Sequence, residues 1–174
     1  MGRPVAALCR GVHAAQGLTT AEGVRGVVGG NQREEAMKAF STNARIRSTT
    51  ERVWRTLMDT GGWPALDSSI DRVDGTPALG ATVTVHGKVG RAFPLKVVDF
   101  VPNQRMVLAG GMPLGLFKGQ RTYTVTSEGD GTVTFAMREA FSGPLAPLIT
   151  RSIPDLQPSF DEFAANLKKR LEQP

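Results

Sequence analysis

A chain of 174 residues, 40% hydrophobic and 21% charged, suits one soluble globular domain that buries roughly 70% of its unfolded surface. No apolar run approaches the ~20 residues that cross a bilayer, so stable membrane insertion is not expected. The formal charge of +5 comes from scattered basic residues rather than a patch, which argues against a nucleic-acid partner.

Residues 1–36 differ in character from the remainder of the chain. They are rich in Gly, Ala, Val and Arg, carry no sustained period and contain no aromatic residue. Arg10, His13 and Gln16 interrupt the apolar core that a signal peptide needs, and Glu22, Glu34 and Glu35 count against a transit peptide. A third reading is a mis-assigned start: Arg33-Glu34-Glu35-Ala36, just before Met37, is compatible with the purine-rich codons of a bacterial ribosome-binding site. On each reading the segment has too few large apolar residues to add to a core and is expected to be dispensable for folding. Cys9, the only cysteine, cannot form an intrachain disulfide, which fits a reducing, cytoplasmic compartment. With only His13 and His86, neither a histidine-rich metal centre nor a Ser-His-Asp triad is expected.

The organised domain, residues 37–174, opens with Lys38 to Arg47, where Phe40, Ala44 and Ile46 alternate with polar residues as in a strand. Ser48-Thr49-Thr50-Glu51 has the S-x-x-E spacing of a capping box and predicts a helix start, with Val53, Trp54 and Leu57 as its apolar side. Gly61-Gly62 end that helix, and Trp63-Pro64 open a loop or a short second helix. Strands are then predicted at Ile70 to Val73, Ala81 to His86, Ala92 to Phe100, Arg105 to Ala109, Phe117 to Ser127 and Thr132 to Ala140. Asp74-Gly75, Pro102-Asn103 and Gly129-Asp130-Gly131 punctuate them. Connections this short leave no room for crossover helices, so the sheet is expected to be antiparallel. His86 shares the face of Thr82 and Thr84 and is expected in solvent.

In the last hairpin, pairing Thr126 with Thr132 sets Val125 against Val133, Tyr123 against Phe135 and Arg121 against Met137. That register puts the large apolar residues of both strands on one face, and a one-residue slip would scramble it. Arg121 and Glu139 then lie diagonally on the inner face, roughly 7–8 Å apart at the backbone. The closing stretch, Asp155 to Glu172, repeats Leu156, Phe160, Phe163, Ala164, Leu167 and Leu171 on one helical stripe. Acidic residues come early in it and Lys168-Lys169-Arg170 late, which complements the helix dipole.

The run Val53-Trp54, Leu57, Asp59, Trp63-Pro64 and the closing Glu139-Ala140-Phe141-Ser142-Gly143-Pro144-Leu145 before an amphipathic helix resemble the opening and closing patterns of the SRPBCC superfamily. That superfamily includes the START, polyketide cyclase and birch-pollen-allergen-like proteins, and the resemblance covers about Phe40 to Glu172. It implies an α+β helix-grip fold: a curved antiparallel sheet around a long C-terminal helix, with a cavity for apolar ligands. It carries no universal catalytic motif. Pro154 and Pro158 depart from the pattern and place the start of the main helix at Asp155.

The expected cavity wall is Val83, Val85, Leu95, Val97, Met106, Leu108, Tyr123, Phe135 and Met137 on the sheet, facing Phe160, Phe163 and Leu167 of the helix. Arg121 and Glu139 form one polar spot in it. That spot either holds a ligand carbonyl or hydroxyl, with Glu139 available as a general base, or is an ion pair bracing the sheet beside Tyr123. Trp63 is placed at the cavity mouth and Trp54 in the core. The apolar connection Gly110 to Phe117 is either a gate or a loop folded onto the core. With no phosphate-binding glycine motif and no carboxylate cluster, no cofactor or metal is expected. The resulting readings are a carrier of a small hydrophobic molecule (a lipid, polyketide, quinone or similar metabolite), a cyclase- or dehydratase-like enzyme using the same cavity, or a groove for a partner's apolar segment. Nothing in the sequence addresses oligomeric state.

Overall fold

A computed structural model describes residues 38–173. The N-terminal extension and the readings placed on it lie outside those residues. Seven strands, β1 (Ala39–Arg47), β2 (Ile70–Asp74), β3 (Thr82–Gly87), β4 (Ala92–Val101), β5 (Arg105–Gly111), β6 (Lys118–Ser127) and β7 (Thr132–Ser142), form one sheet in the order β1-β7-β6-β5-β4-β3-β2. Every neighbouring pair is antiparallel. The sheet is curled. Between β1 and β2, at its opposite edges, run α1 (Thr50–Met58) and a 3-10 segment, Thr60–Ala65. After β7 come a short α2 (Ala146–Ile149), a 3-10 turn and the long α3 (Gln157–Glu172).

Local chemistry shifts two predicted helix starts. Thr49, in extended backbone, is the cap of α1 and accepts the Arg52 N–H, while the Ser48 hydroxyl is buried without a partner among the described residues. The predicted Ser48–Glu51 box is therefore not formed. Strand β1 continues in register to Arg47 opposite Thr132, and the chain has no room to turn one residue earlier. At α3 the helix begins at Gln157 rather than Asp155. Asp155 stands just outside and accepts the Gln157 N–H at 3.0 Å. Pro158 falls in the first turn, where its missing N–H costs nothing.

The last hairpin also moves. Asp130 accepts both the N–H and the hydroxyl of Thr132, and Glu128 N–H closes onto the Thr132 carbonyl, so the turn centres on Asp130 instead of Gly129. The pairing becomes Val125 with Phe135, Tyr123 with Met137 and Arg121 with Glu139. This corrects the expected register by two residues. Because side chains alternate with period two, each one keeps its predicted face.

Helix α3 grips the sheet at both edges. Along β1, Gln157 donates to the Ser41 carbonyl, Lys168 to the Arg45 carbonyl, and Glu172 accepts the Arg47 N–H. These contacts occupy edge groups that would otherwise template another strand. Toward the opposite edge, Asn166 donates to the Leu66 carbonyl, Glu162 accepts from Ser68, and Ser159 donates to the buried Asp67. Residues 66–69 lead directly into β2, so one helix ties the two edges of the curl together.

The space between is filled with rings. Trp63 lies 5.7 Å from Tyr123 and 5.9 Å from Phe163, and Phe163 stacks on Phe135 at 6.0 Å. Trp63 also donates its indole N–H to the Leu57 carbonyl, so its one polar atom is satisfied inside the core.

Candidate functional site

Alternation along β6 and β7 aims Arg121, Tyr123, Phe135, Met137 and Glu139 at α3. Arg121 and Glu139 are cross-strand partners. Glu139 Oε2 accepts the Arg121 Nε–H at 2.8 Å and a second N–H from Nη2. The Phe160 ring, in the first turns of α3, lies 4.9 Å from the guanidinium carbon and covers its face. Both side chains keep contact with water, at 20% and 15% exposure. Glu139 takes two of the guanidinium's N–H donors, and the Tyr123 oxygen beside it also favours the cation.

Burial disfavours the charged form of Arg121, but Glu139 and Tyr123 more than offset it, and its pKa is raised. Arg121 is therefore a fixed cation. Burial pushes the Tyr123 phenol up as well, against a smaller lowering by the Arg121 charge. The Tyr123 hydroxyl is wholly buried and has no partner in hydrogen-bond geometry. Among the described residues it shares that state with the Ser48 hydroxyl, and it differs in standing beside a cation, Arg121.

One ladder step toward the end of the sheet, Gly110 of β5 faces Gly119 of β6. Leu95 leans into the first position, where an added Cβ would stand 2.7 Å from its Cδ2, and the Phe141 ring leans over the second, 3.3 Å away. Leu95 and Phe141 thus take up the space beside the two glycines, and the concave wall next to Arg121 and Glu139 is closed by these side chains. They lie toward the open end of the sheet, where β3 turns into β4, β5 into β6 and β7 into α2, and where Leu95, Arg121 and Glu139 keep some exposure.

The structure divides the predicted wall in two. Val83, Val97, Met106, Tyr123, Phe135 and Leu167 expose no surface that water could reach, and Leu108, Met137, Phe160 and Phe163 expose at most 2%. These side chains fill the sheet–helix space rather than lining an open cavity in it. Trp63, at 0% exposure, is core and not a portal. Its place in the 3-10 segment after α1 turns the ring inward, where Tyr123 and Phe163 meet it. Trp54 is core as expected, against Phe100. Only Leu95, Arg121, Glu139 and the edge of Val85 reach the open end.

His86 lies on the outer face and pairs with Asp74 at 2.7 Å. The Gly110–Phe117 connection is not folded onto the core: Phe117 stacks on Phe141 at its foot, while Met112, Leu114 and Leu116 stand exposed. Three features went unnoticed in the sequence. Phe93 has the same parity as Leu95 and Val97 and so belongs to the concave face, half-exposed at the open end; alternation alone signals it. The glycine pair needs the β5–β6 register. Asp67 carries no local signal of burial.

A family model described as "Polyketide cyclase / dehydrase and lipid transport" matches residues 37–172. No curated protein sequence matches the chain. Among solved structures, protein MLL2253 from Mesorhizobium loti is 17% identical, with a TM-score of 0.60 over 78% of this chain and 97% of that one. A START superfamily protein from Mycobacterium smegmatis is 13% identical, with a TM-score of 0.55 and coverages of 78% and 97%. Norcoclaurine synthase from Thalictrum flavum, in truncated form, is 15% identical, with a TM-score of 0.58 and coverages of 79% and 96%. At these identities the likeness is one of fold.

Proposed function

Since the chain belongs to the polyketide cyclase/dehydrase and lipid transport family, within the SRPBCC superfamily, we propose that it binds a small hydrophobic molecule at the open end of the concave sheet, with the ligand's polar atom on Arg121. The observation that supports this reading is the Arg121–Glu139 pair, 20% and 15% exposed at that end of the sheet, with guanidinium donors that Glu139 does not take. Glu139 already balances the cation, so a ligand carboxylate would sit against a second carboxylate. A neutral carbonyl or hydroxyl oxygen avoids that repulsion and still accepts a charge-assisted hydrogen bond. The ligand's apolar part lies along Leu95, Val85 and Phe93, the concave-face residues that remain accessible.

Native mass spectrometry of the purified protein should show a co-purified small molecule. Phe93→Asp, which puts a charge on the half-exposed part of the concave face, should weaken or remove it while leaving the melting temperature within a few degrees. Protein that carries no small molecule, and takes up no neutral lipid or aromatic ketone when these are added, would sink the reading.

A cyclase- or dehydratase-like activity is the second reading, favoured by the orphaned Tyr123 hydroxyl beside Arg121. Held protonated by its burial, it can donate to a carbonyl oxygen that displaces the packing above it, sharing the developing negative charge with Arg121. Tyr123→Phe with Glu139→Gln separates the two: a carrier keeps most of its affinity, whereas an enzyme keeps affinity and loses turnover.

A further inference from the structure

Eight large hydrophobic side chains stand exposed among the described residues, and six of them occupy the connections at the open end. Val89 lies in the β3–β4 turn, Phe93 at the start of β4, Met112, Leu114 and Leu116 between β5 and β6, and Leu148 in α2. Antiparallel order sends these connections out on one side of the sheet. The β7–α2 connection is clamped to the β5–β6 loop by the Leu145 N–H, which donates to the Leu116 carbonyl at 2.9 Å. Gly143 makes the clamp possible: its φ is +103°, and a Cβ there would stand 2.6–2.7 Å from the Gly115 and Leu116 carbonyl oxygens.

Leu114 is the extreme case. It is 96% exposed and sits at φ 60°, ψ 17°, a left-handed conformation that disfavours bulky residues. Its side chain gains nothing from packing on its own chain, so the strain and the exposure both await a partner. Four exposed cations surround the fringe: Lys88 and Arg91 in the β3–β4 turn, Lys118 at the start of β6, and Arg151 after α2. None of them is in an ion pair among the described residues, a state they share with Arg47, Arg52, Arg55, Lys96, Arg138 and Lys169; what sets the four apart is their place among the exposed apolar tips. The exposed carboxylates at this end are already engaged, Asp71 with Arg72 and Asp155 with the Gln157 N–H.

We propose that this end of the sheet docks on the surface of an anionic lipid bilayer, with Leu114 and Met112 reaching the acyl boundary and the four cations on lipid phosphates. Apolar tips carried on separate loops, with basic residues between them, suit a soft interface that needs no rigid complementary shape. Docking there would set the end of the sheet that carries Arg121 and Glu139 against the membrane. The proposal goes beyond the ligand reading and does not rest on it.

Flotation with vesicles of phosphatidylcholine and phosphatidylglycerol in equal parts, against phosphatidylcholine alone, tests it without any pocket ligand. The protein should float with the anionic vesicles and release as salt is raised. Near such a surface each basic residue is worth about five-fold in partitioning, so replacing Lys88, Arg91, Lys118 and Arg151 with Ser should lose on the order of 600-fold. Leu114→Asp should lose about ten-fold or more. Both variants should melt as the parent does, because the altered side chains are exposed. Absence of flotation with anionic vesicles, or unchanged partitioning of either variant, overturns the proposal. So does a self-association in solution that Leu114→Asp abolishes, which would make the fringe a protein interface.

Discussion

Removing one partner of the Arg121–Glu139 pair tests the site and the strand register together. A fully buried ion pair costs about 3–5 kcal/mol when one partner is lost, chiefly because the other charge is left uncompensated. Here 15–20% of each side chain still meets water, which reduces the cost to about 2–3 kcal/mol. Glu139→Gln keeps an acceptor oxygen but strands the cation and belongs at the lower end, near 2 kcal/mol. It should also leave binding of acidic ligands unchanged or improved. Arg121→Met strands the carboxylate and loses the contact over the Phe160 ring, itself worth about 0.5–1 kcal/mol. The double variant has no stranded charge, and Met packs on Phe160, so it should cost about 1–2 kcal/mol. The coupling is then about 2 kcal/mol or more. Urea unfolding followed by fluorescence suits the measurement, since both tryptophans, Trp54 and Trp63, are buried. Midpoints should shift at constant slope. Coupling below about 0.5 kcal/mol, the range for independent sites, would falsify both the pairing and the polar site built on it.

Three further outcomes are expected from the packing. Phe163→Ala should cost about 3–5 kcal/mol, since its ring meets Trp63, Tyr123 and Phe135 and is 2% exposed; Phe160→Ala, equally buried, should cost a similar amount, and a loss near 1 kcal/mol for either in urea unfolding would contradict the filled core. Tyr123 is the only tyrosine, so near-ultraviolet phenolate absorbance reads it alone. Burial raises its folded pKa above the unfolded value, so its contribution to stability is complete below about pH 10, the unfolded value, and is lost as pH rises from there through the folded pKa. Native protein should form phenolate at higher pH than urea-unfolded protein, and Tyr123→Phe should remove that part of the alkaline instability; coincident titrations would refute the burial argument. Asp67→Ala strips the acceptor from Ser69 N–H, Ser69 hydroxyl and Ser159 hydroxyl and should cost about 2–3 kcal/mol. It should also raise amide exchange along Ile70–Asp74, the edge it secures, and unchanged exchange there would show that α3 holds that edge by other contacts.

Much of the architecture was legible because its signals are local. Alternation placed Val83, Val97, Tyr123, Phe135 and Met137 on the buried face, and 3.6-residue spacing placed Phe160, Phe163 and Leu167 opposite them. The hairpin shows how such a signal survives error: the turn moved by one residue and the pairing by two, yet Arg121 and Glu139 stayed inside because the strand period is two. A cap one residue later at Thr49 and a helix start at Gln157 were small displacements of the same kind.

The sequence by itself therefore determined the element order, the antiparallel sheet, the face of each strand and the presence of one inward Arg and Glu. Only the tertiary structure decided that Trp63 is core, that Asp67 clasps Ser159 across 92 positions of chain, that Gly110 and Gly119 lie side by side, and that the space under the helix is filled with rings. The physical reason is that hydrophobic period is a property of neighbours in the chain, whereas hollow or filled is a balance between summed side-chain volume and the curvature of the sheet. That balance is struck only when strands distant in sequence have closed around the helix.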